Sequence, residues 1–269
     1  MVELFQIIII AIAQGIGEFL PISSSGHNAV INELFKQFGQ PLTENSTEFV
    51  KLNILLHIGS LAAVLIVYHR RIIDIFGKDK RLIPMLIVAT IPAVIVGLGI
   101  KKLDADWIME YLPLISGCFI VTGILLLTTL RLPAGEKTTS TMTWRDAIVI
   151  GCSQAFAILP GISRSGTTIV TGLFCRLKRE DAAAFSFILS IPVILGSGLF
   201  DMLNYDPSKQ GTISDELLLT GALVSCLSSI LALVFLLNWL KKGKLWYFAI
   251  WVFIMSPLTM ALFLAMPKS

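Results

Sequence analysis

The amino-acid sequence predicts an all-α polytopic membrane protein with six transmembrane helices plus two re-entrant helix hairpins in an inverted repeat. Three observations predict it. The 269 residues are 55% hydrophobic and 14% charged, with a mean hydropathy of +0.81, whereas a soluble domain is about a quarter charged. Six apolar stretches have the length a bilayer crossing needs, about 20 residues. Two further apolar stretches are broken by polar turns and resemble one another at a constant offset.

In chain order, Leu4–Leu20 comes first. It carries Gln14 and Glu18, then breaks at Pro21-Ile22-Ser23-Ser24-Ser25-Gly26-His27, and a short amphipathic stretch, Asn28–Phe38, follows. It has no basic n-region and no small-residue cleavage site, so it is not expected to be a cleavable signal peptide. Full spans are expected at Phe49–Tyr68, Leu82–Ile100 and Tyr111–Leu130, separated by polar loops at His69–Arg81 and Lys101–Glu110. After the loop Arg131–Thr143, the stretch Trp144–Leu159 repeats the opening pattern. It breaks at Pro160-Gly161-Ile162-Ser163-Arg164-Ser165-Gly166-Thr167-Thr168 before Ile169–Leu177. Three more spans, Ala182–Leu203, Leu217–Leu240 and Leu245–Ala265, are joined by loops at Asn204–Glu216 and Lys241–Lys244. Pro92, Pro192 and Pro257 lie inside apolar runs and are expected to kink helices whose neighbours satisfy the freed carbonyls.

The two broken stretches pair residue for residue: Gln14 with Gln154, Ile22 with Ile162, Ser23 with Ser163, Ser25 with Ser165 and Gly26 with Gly166. Identities in polar residues point to duplication within a single membrane domain, 1–269, with one repeat in 1–130 and the other in 144–269. A helix, a polar break and a half-length helix describe a hairpin that enters the membrane and returns, tolerated where protein or water covers its backbone. With both hairpins returning to their own side, the loops at 69–81, 131–145, 176–179 and 241–244 share one face and carry fourteen Lys and Arg. The other face carries six, which makes the first face cytoplasmic. The hairpins then enter from opposite sides and their tips meet near the midplane.

Hairpin tips at that depth suit an anion. A helix that opens behind a Ser/Gly turn presents unpaired N–H groups and positive dipole charge. Gln14 and Glu18, four apart, share a helix face just before Ser23, Ser24, Ser25, Gly26 and His27. The second tip adds Arg164, whose planar fork fits phosphate oxygens, and the hydroxyls of Ser163, Ser165, Thr167 and Thr168. Ionisable residues inside a membrane segment mark function by default. Plainer readings stand beside these: an ion pair between Glu18 and Arg164, N-capping by Ser23 and Ser25, and His27 as an orienting ring. His57, among Leu55, Leu56 and Ile58, reads as a packed or helix-bonded histidine rather than a catalytic one. The four cysteines lack metal-type spacing, so a zinc site is not expected, and a net charge of +3 is too small to imply a nucleic-acid partner, so none is expected.

Gln14-x-x-x-Glu18 followed by Leu20-Pro21-Ile22-Ser23-Ser24-Ser25-Gly26-His27 resembles the first signature of the bacterial undecaprenyl-diphosphate phosphatases of the bacitracin-resistance type. Pro160-Gly161-x-Ser163-Arg164-Ser165-x-x-Thr168 resembles the second. The resemblance implies hydrolysis of undecaprenyl diphosphate to the monophosphate carrier of cell-wall synthesis. It implies Glu18, Ser24, His27 and Arg164 as catalytic residues, with Gln14, Ser23, Ser25, Gly26, Ser163, Ser165 and Thr168 binding substrate. Many members carry Glu at position 14, so Gln14 is left hydrogen bonding or ion coordination. A divalent cation, Mg²⁺ or Ca²⁺, is the implied activator, and Glu18 is the single carboxylate at hand, too few for a protein-only cage. The partners implied are a polyprenyl diphosphate lipid and the bilayer, in a bacterial cytoplasmic (inner) membrane with the site opening to the outer face; a homodimer is compatible. Membrane phosphatidic-acid phosphatases are excluded, because Val170 stands where their nucleophilic histidine would follow Ser163-Arg164. A lipid-phosphate flippase or transporter is the competing reading, since inverted repeats of broken helices also build transporters.

Overall fold

The computed structural model describes residues 2–39, 42, 46–203 and 213–266, and among these it is helical throughout. Eleven α-helices follow in order: α1 (Val2–Phe19), α2 (Ser24–Gln37), α3 (Ser46–Val67), α4 (His69–Gly77), α5 (Leu82–Lys102), α6 (Leu112–Thr128), α7 (Trp144–Phe156), α8 (Arg164–Phe174), α9 (Arg179–Leu203), α10 (Asp215–Lys241) and α11 (Tyr247–Ala265). Short 3₁₀ turns lie at Asp106–Met109 and Thr139–Thr141, and an isolated β-bridge joins Lys137 to Leu177. Most of the loop expected at Asn204–Glu216, with Lys209 and Lys268 of the charge count, lies outside the described residues.

Six helices are long and apolar enough to cross a membrane: α1, α3, α5, α9, α10 and α11. Five of these coincide with expected spans. The sixth expected span, Tyr111–Leu130, forms the 17-residue α6, and α1 takes its place in the set. Gln14 and Glu18 do not interrupt α1, because both are buried against polar partners. The 13 residues of α7 and 11 of α8 span about 20 and 17 Å at 1.5 Å per residue, short of a hydrocarbon core of about 30 Å.

Two other expectations are corrected locally. The loop His69–Arg81 contains α4, whose Ile72 and Ile75 pack on the core while Arg71 pairs with Asp79 at 3.2 Å. Helix α8 begins at Arg164, five residues before the expected Ile169, because the Ser163 side chain caps it by accepting from the Gly166 N–H.

The packing partners lie far apart in the chain. Helix α1 packs on α10, α5 on α7, α3 on α10 and α9, and α6 on α11. The main core runs through both halves, from Phe19, Ile22 and Phe119 to Ile169, Phe185 and Phe187; Phe19 meets Phe187 edge to face at 5.5 Å. The break after α1 lies within this core through Leu20 and Ile22, and the break after α7 packs in a smaller cluster of Cys118, Ala157 and Ile162, so irregular backbone there is covered by protein.

Candidate active site

The break after α1 is organised by Ser23. Its Oγ accepts from the Gly26 N–H at 3.3 Å and so caps α2; it also accepts from the Gly161 N–H of the other break at 3.0 Å. Its backbone sits at φ 71° and ψ 97°, a conformation costing a non-glycine residue about 1–3 kcal/mol. The break after α7 repeats the cap with Ser163, which accepts from the Gly166 N–H at 3.1 Å. Here the positive φ, 93°, falls on Gly161, where it is free of that cost. Thr122 on α6 fixes this second turn by donating to the Gly161 carbonyl at 2.7 Å and accepting from the Ser163 N–H at 3.1 Å.

The two breaks touch. Besides the Ser23–Gly161 bond, Ser165 Oγ donates to the Leu20 carbonyl at 3.2 Å. Gly26 is wedged at the contact: a Cβ there would lie 2.8 Å from Phe119 Cζ and 2.9 Å from the Gly161 nitrogen. Only glycine permits that approach.

At this junction Glu18 is surrounded by donors. Arg164 Nη2 donates to Oε1 at 2.5 Å, while Ser24 Oγ and Gln14 Nε2 each donate to Oε2 at 3.0 Å. Gln14 Oε1 accepts from Asn28 Nδ2 at 2.9 Å, so Gln14 holds Glu18 and α2 together. Arg164 also donates through Nη1 to the Ser186 carbonyl at 3.3 Å. Salt-bridged and hydrogen-bonded on both oxygens, Glu18 meets the condition under which a buried charge is tolerated.

A cavity of about 410 Å³ lies over these groups, lined by Glu18, Ser23, Ser24, Ser25 and Arg164 and also by Asn53, Met109 and Asp201. A second, of about 260 Å³, adjoins it and is lined by Gln14, Ser24, Ser25, Asn28, Lys36 and Glu110. Ser24, Ser25, Asn53, His57 and Met109 border both. Thus Glu18, Ser24 and Arg164 come together as expected, with Gln14, Ser23 and Ser25 beside them.

The other expected residues lie elsewhere. Ser163, Ser165 and Thr168 are buried and bonded within the protein, Thr168 to Ser186 Oγ at 2.6 Å, so their hydroxyls line neither cavity. Gly26 contributes the close contact described above. His27 faces away from Ser24. Its Nδ1 lies 2.8 Å from the Ser23 carbonyl and its Nε2 lies 2.8 Å from the Trp251 indole N–H. A carbonyl only accepts and an indole N–H only donates, so both ring nitrogens are committed, and the ring stacks on Trp251.

Sequence reasoning missed Asn28, Asn53, Thr122, Ser186 and Trp251, and set His57 aside. A polar ring within an apolar span was the available signal for His57; Thr122, Ser186 and Trp251 carried none, being defined by partners outside their own helices. Among the described residues no group of three or more His, Cys, Asp or Glu is placed to hold a metal ion, and both Glu18 oxygens already carry donors. Beside the cavity floor, among the described residues, Glu18 is the carboxylate a divalent ion would meet.

Comparison with known proteins gives a consistent result. The family described as bacitracin resistance protein BacA matches residues 7–258. An undecaprenyl-diphosphatase of Rhodopirellula baltica is 41% identical over 255 residues, covering 93% of this chain and 95% of that protein. Proteins of the same name from Carboxydothermus hydrogenoformans and Alkaliphilus metalliredigens are 38% and 39% identical, covering 94% and 91% of this chain and 94% and 93% of their own.

Proposed function

The chain belongs to the bacitracin resistance protein BacA family, and from that premise we propose that it hydrolyses undecaprenyl diphosphate to undecaprenyl phosphate and inorganic phosphate. The reaction returns the lipid carrier to cell-wall synthesis and confers bacitracin resistance. The observation that carries this reading is the meeting of Arg164, Glu18 and Ser24 at the floor of one cavity. Phosphoryl transfer needs positioning and compensation of spread negative charge more than covalent chemistry. Arg164 at the start of α8 supplies a planar cation beside helix N–H groups, the donor set that suits phosphate.

In this reading an incoming diphosphate competes with Glu18 for the Arg164 guanidinium. Ser24 Oγ, already donating to Glu18, attacks the terminal phosphorus; its proton passes to Glu18, the anhydride bond breaks, and undecaprenyl phosphate leaves. Water then hydrolyses the phosphoserine. In the alternative, water attacks directly and Ser24 binds the phosphate. His27 serves by position, fixing the Ser23 turn from the side away from the cavity. Ser163, Ser165 and Thr168 shape the Arg164 turn through backbone and packing rather than by touching substrate.

Opposed re-entrant hairpins in an inverted repeat, one arm being α1, account for several pairings. The Ser23–Ser25 and Ser163–Ser165 hydroxyl pairs sit at 3.3 and 3.2 Å behind matching helix caps. Ser116 on α6 meets Ser256 on α11 at 3.0 Å across a separation of 140 residues, the offset of the duplication. Met109 and Asp201, which line the cavity, lie in and next to the loops Lys101–Glu110 and Asn204–Glu216 that the charge count assigns to the face with fewer basic residues. That supports an outward-opening site in a bacterial inner membrane. Every side chain in this reading comes from one chain, so a homodimer is compatible and adds nothing to the site. The flippase alternative is not favoured, because the named relatives are diphosphatases.

A divalent ion, Mg²⁺ or Ca²⁺, enters the proposal bound to the diphosphate oxygens rather than held by the protein, as Mg²⁺ commonly is on phosphate substrates. The test of the whole reading is phosphate release from undecaprenyl diphosphate by purified protein in detergent with added Mg²⁺ or Ca²⁺. Release abolished by Arg164→Ala is expected. No release by the wild-type chain, or full release by that variant, overturns it.

A further inference from the structure

The hydrolytic water of the reaction needs a base, and the groups around the cavity differ in whether they can serve. Glu18 carries Arg164, Ser24 and Gln14 on its two oxygens. Asp201, which also lines the cavity, is paired with Lys101 at 3.0 Å. Both ring nitrogens of His27 are taken, and its ring lies outside the cavity. In the adjoining cavity Lys36 faces Glu110 at 3.6 Å, near Glu33.

His57 is built differently. On α3, its Nδ1 lies 2.8 Å from the Asn53 carbonyl one turn earlier. A carbonyl only accepts, so Nδ1 carries a proton, and in the neutral ring Nε2 is the nitrogen that presents a lone pair. That Nε2 lies 3.9 Å from Glu18 Oε2, the oxygen to which Ser24 donates. The ring borders both cavities and is a third exposed, 37%. A separation of 3.9 Å is too long for a direct hydrogen bond and leaves room for a solvent molecule beside both groups.

We propose that His57 is a further catalytic residue of this site, the general base for the water that attacks phosphorus. The proposal rests on the diphosphatase reading above. It holds for either order of events, since water attacks the anhydride in the direct route and the Ser24 phosphoester in the covalent one. In each case the water oxygen forms the new P–O bond and its proton goes to His57 Nε2. The bond to the leaving oxygen breaks, giving undecaprenyl phosphate directly or freeing the Ser24 oxygen, which takes back the proton that Glu18 received. The imidazolium then returns its proton to solvent in the cavity. The Asn53 carbonyl fixes the tautomer, as a base with two distinct nitrogens requires.

The test uses the full-length protein in detergent with undecaprenyl diphosphate and compares wild type, His57→Gln and His57→Ala. Positioned bases contribute about 10²- to 10⁴-fold, so kcat of His57→Gln is expected to fall at least about 100-fold with KM little changed. Added imidazole is expected to restore part of the rate to His57→Ala and none to His57→Gln, whose side chain fills the space. A His57→Gln kcat within about threefold of wild type overturns the proposal. So does a His57→Ala variant that keeps its melting temperature and gains nothing from imidazole, since His57 would then only hold position. An inactive wild-type chain would instead sink the diphosphatase reading itself, so the two failures are distinguishable.

Discussion

Glu18 and Arg164 stand 146 residues apart in the chain, yet Arg164 Nη2 and Glu18 Oε1 meet at 2.5 Å, tying α1 to the first residue of α8. Both side chains are largely buried, 9% and 15% exposed. Removing one partner leaves the other charge without compensation, which costs about 3–5 kcal/mol in a buried pair. Glu18→Ala and Arg164→Ala are therefore expected to lower the melting temperature as well as abolish activity. Arg164→Lys keeps a charge but loses the fork that reaches Glu18 and the Ser186 carbonyl together. Its phosphate release is expected to fall at least about 100-fold, with a smaller loss of stability. Thermal unfolding followed beside phosphate release separates the two effects.

Ser24 and Ser23 should fail in different ways. Ser24 is partly exposed to the cavity and bonded to Glu18; Ser24→Ala is expected to lose nearly all activity while melting near the wild-type temperature. Ser23 is buried, and its hydroxyl serves the cap of α2 and the Gly161 N–H. Ser23→Ala is expected to destabilise by about 1–2 kcal/mol. Ser23→Gly loses the same bonds but relieves the positive φ, so it should melt above Ser23→Ala. The reverse order would mean that the turn is not strained.

Gly26→Ala tests the contact between the two breaks. The added methyl would press on Phe119 and on the backbone of Gly161, and backbone cannot yield as a flexible side chain can. Loss of activity with a depressed melting temperature is expected. Gly99→Ala is the control, because nothing lies within 4 Å of its Cβ position and alanine favours a helix; it should be neutral or slightly stabilising.

The start of α7 should respond to acid. Burial works against the Asp146 carboxylate, but the Thr143 N–H and the Lys137 ammonium outweigh it and hold its pKa below the ordinary value. A carboxyl depressed on folding contributes stability at neutral pH and loses it as the pH falls through the folded pKa, below about 4. Asp146→Asn is expected to melt lower than wild type at pH 7, with the difference shrinking as the pH drops toward 3. A constant difference would show that the charge contributes nothing.

In the proposed reading, where a divalent ion would arrive on the diphosphate, chelation is expected to stop phosphate release without unfolding the protein. Adding EDTA and then excess Mg²⁺ during an assay, with a parallel melting curve, checks this. A large drop in melting temperature on chelation would point instead to a resident site.

The helical class, five of the six long apolar helices and the two polar breaks were legible in the sequence alone. Hydrophobic run length and Ser/Gly/Pro punctuation are local properties, and a break repeated 140 residues on is visible without any coordinates. Glu18 and Arg164 were legible for a related reason: an ionisable group in an apolar segment must be compensated, whatever compensates it. Which way each ring or hydroxyl turns was not legible. That depends on how one helix is rotated against others distant in the chain, and the sequence of α2 holds no trace of Trp251 on α11. Tertiary packing turned His27 toward Trp251, buried Ser163, Ser165 and Thr168 in their own helix and its neighbour, and gave Gln14 to Asn28. The same packing brought His57, set aside in the sequence as a core histidine, to face the cavity beside Glu18.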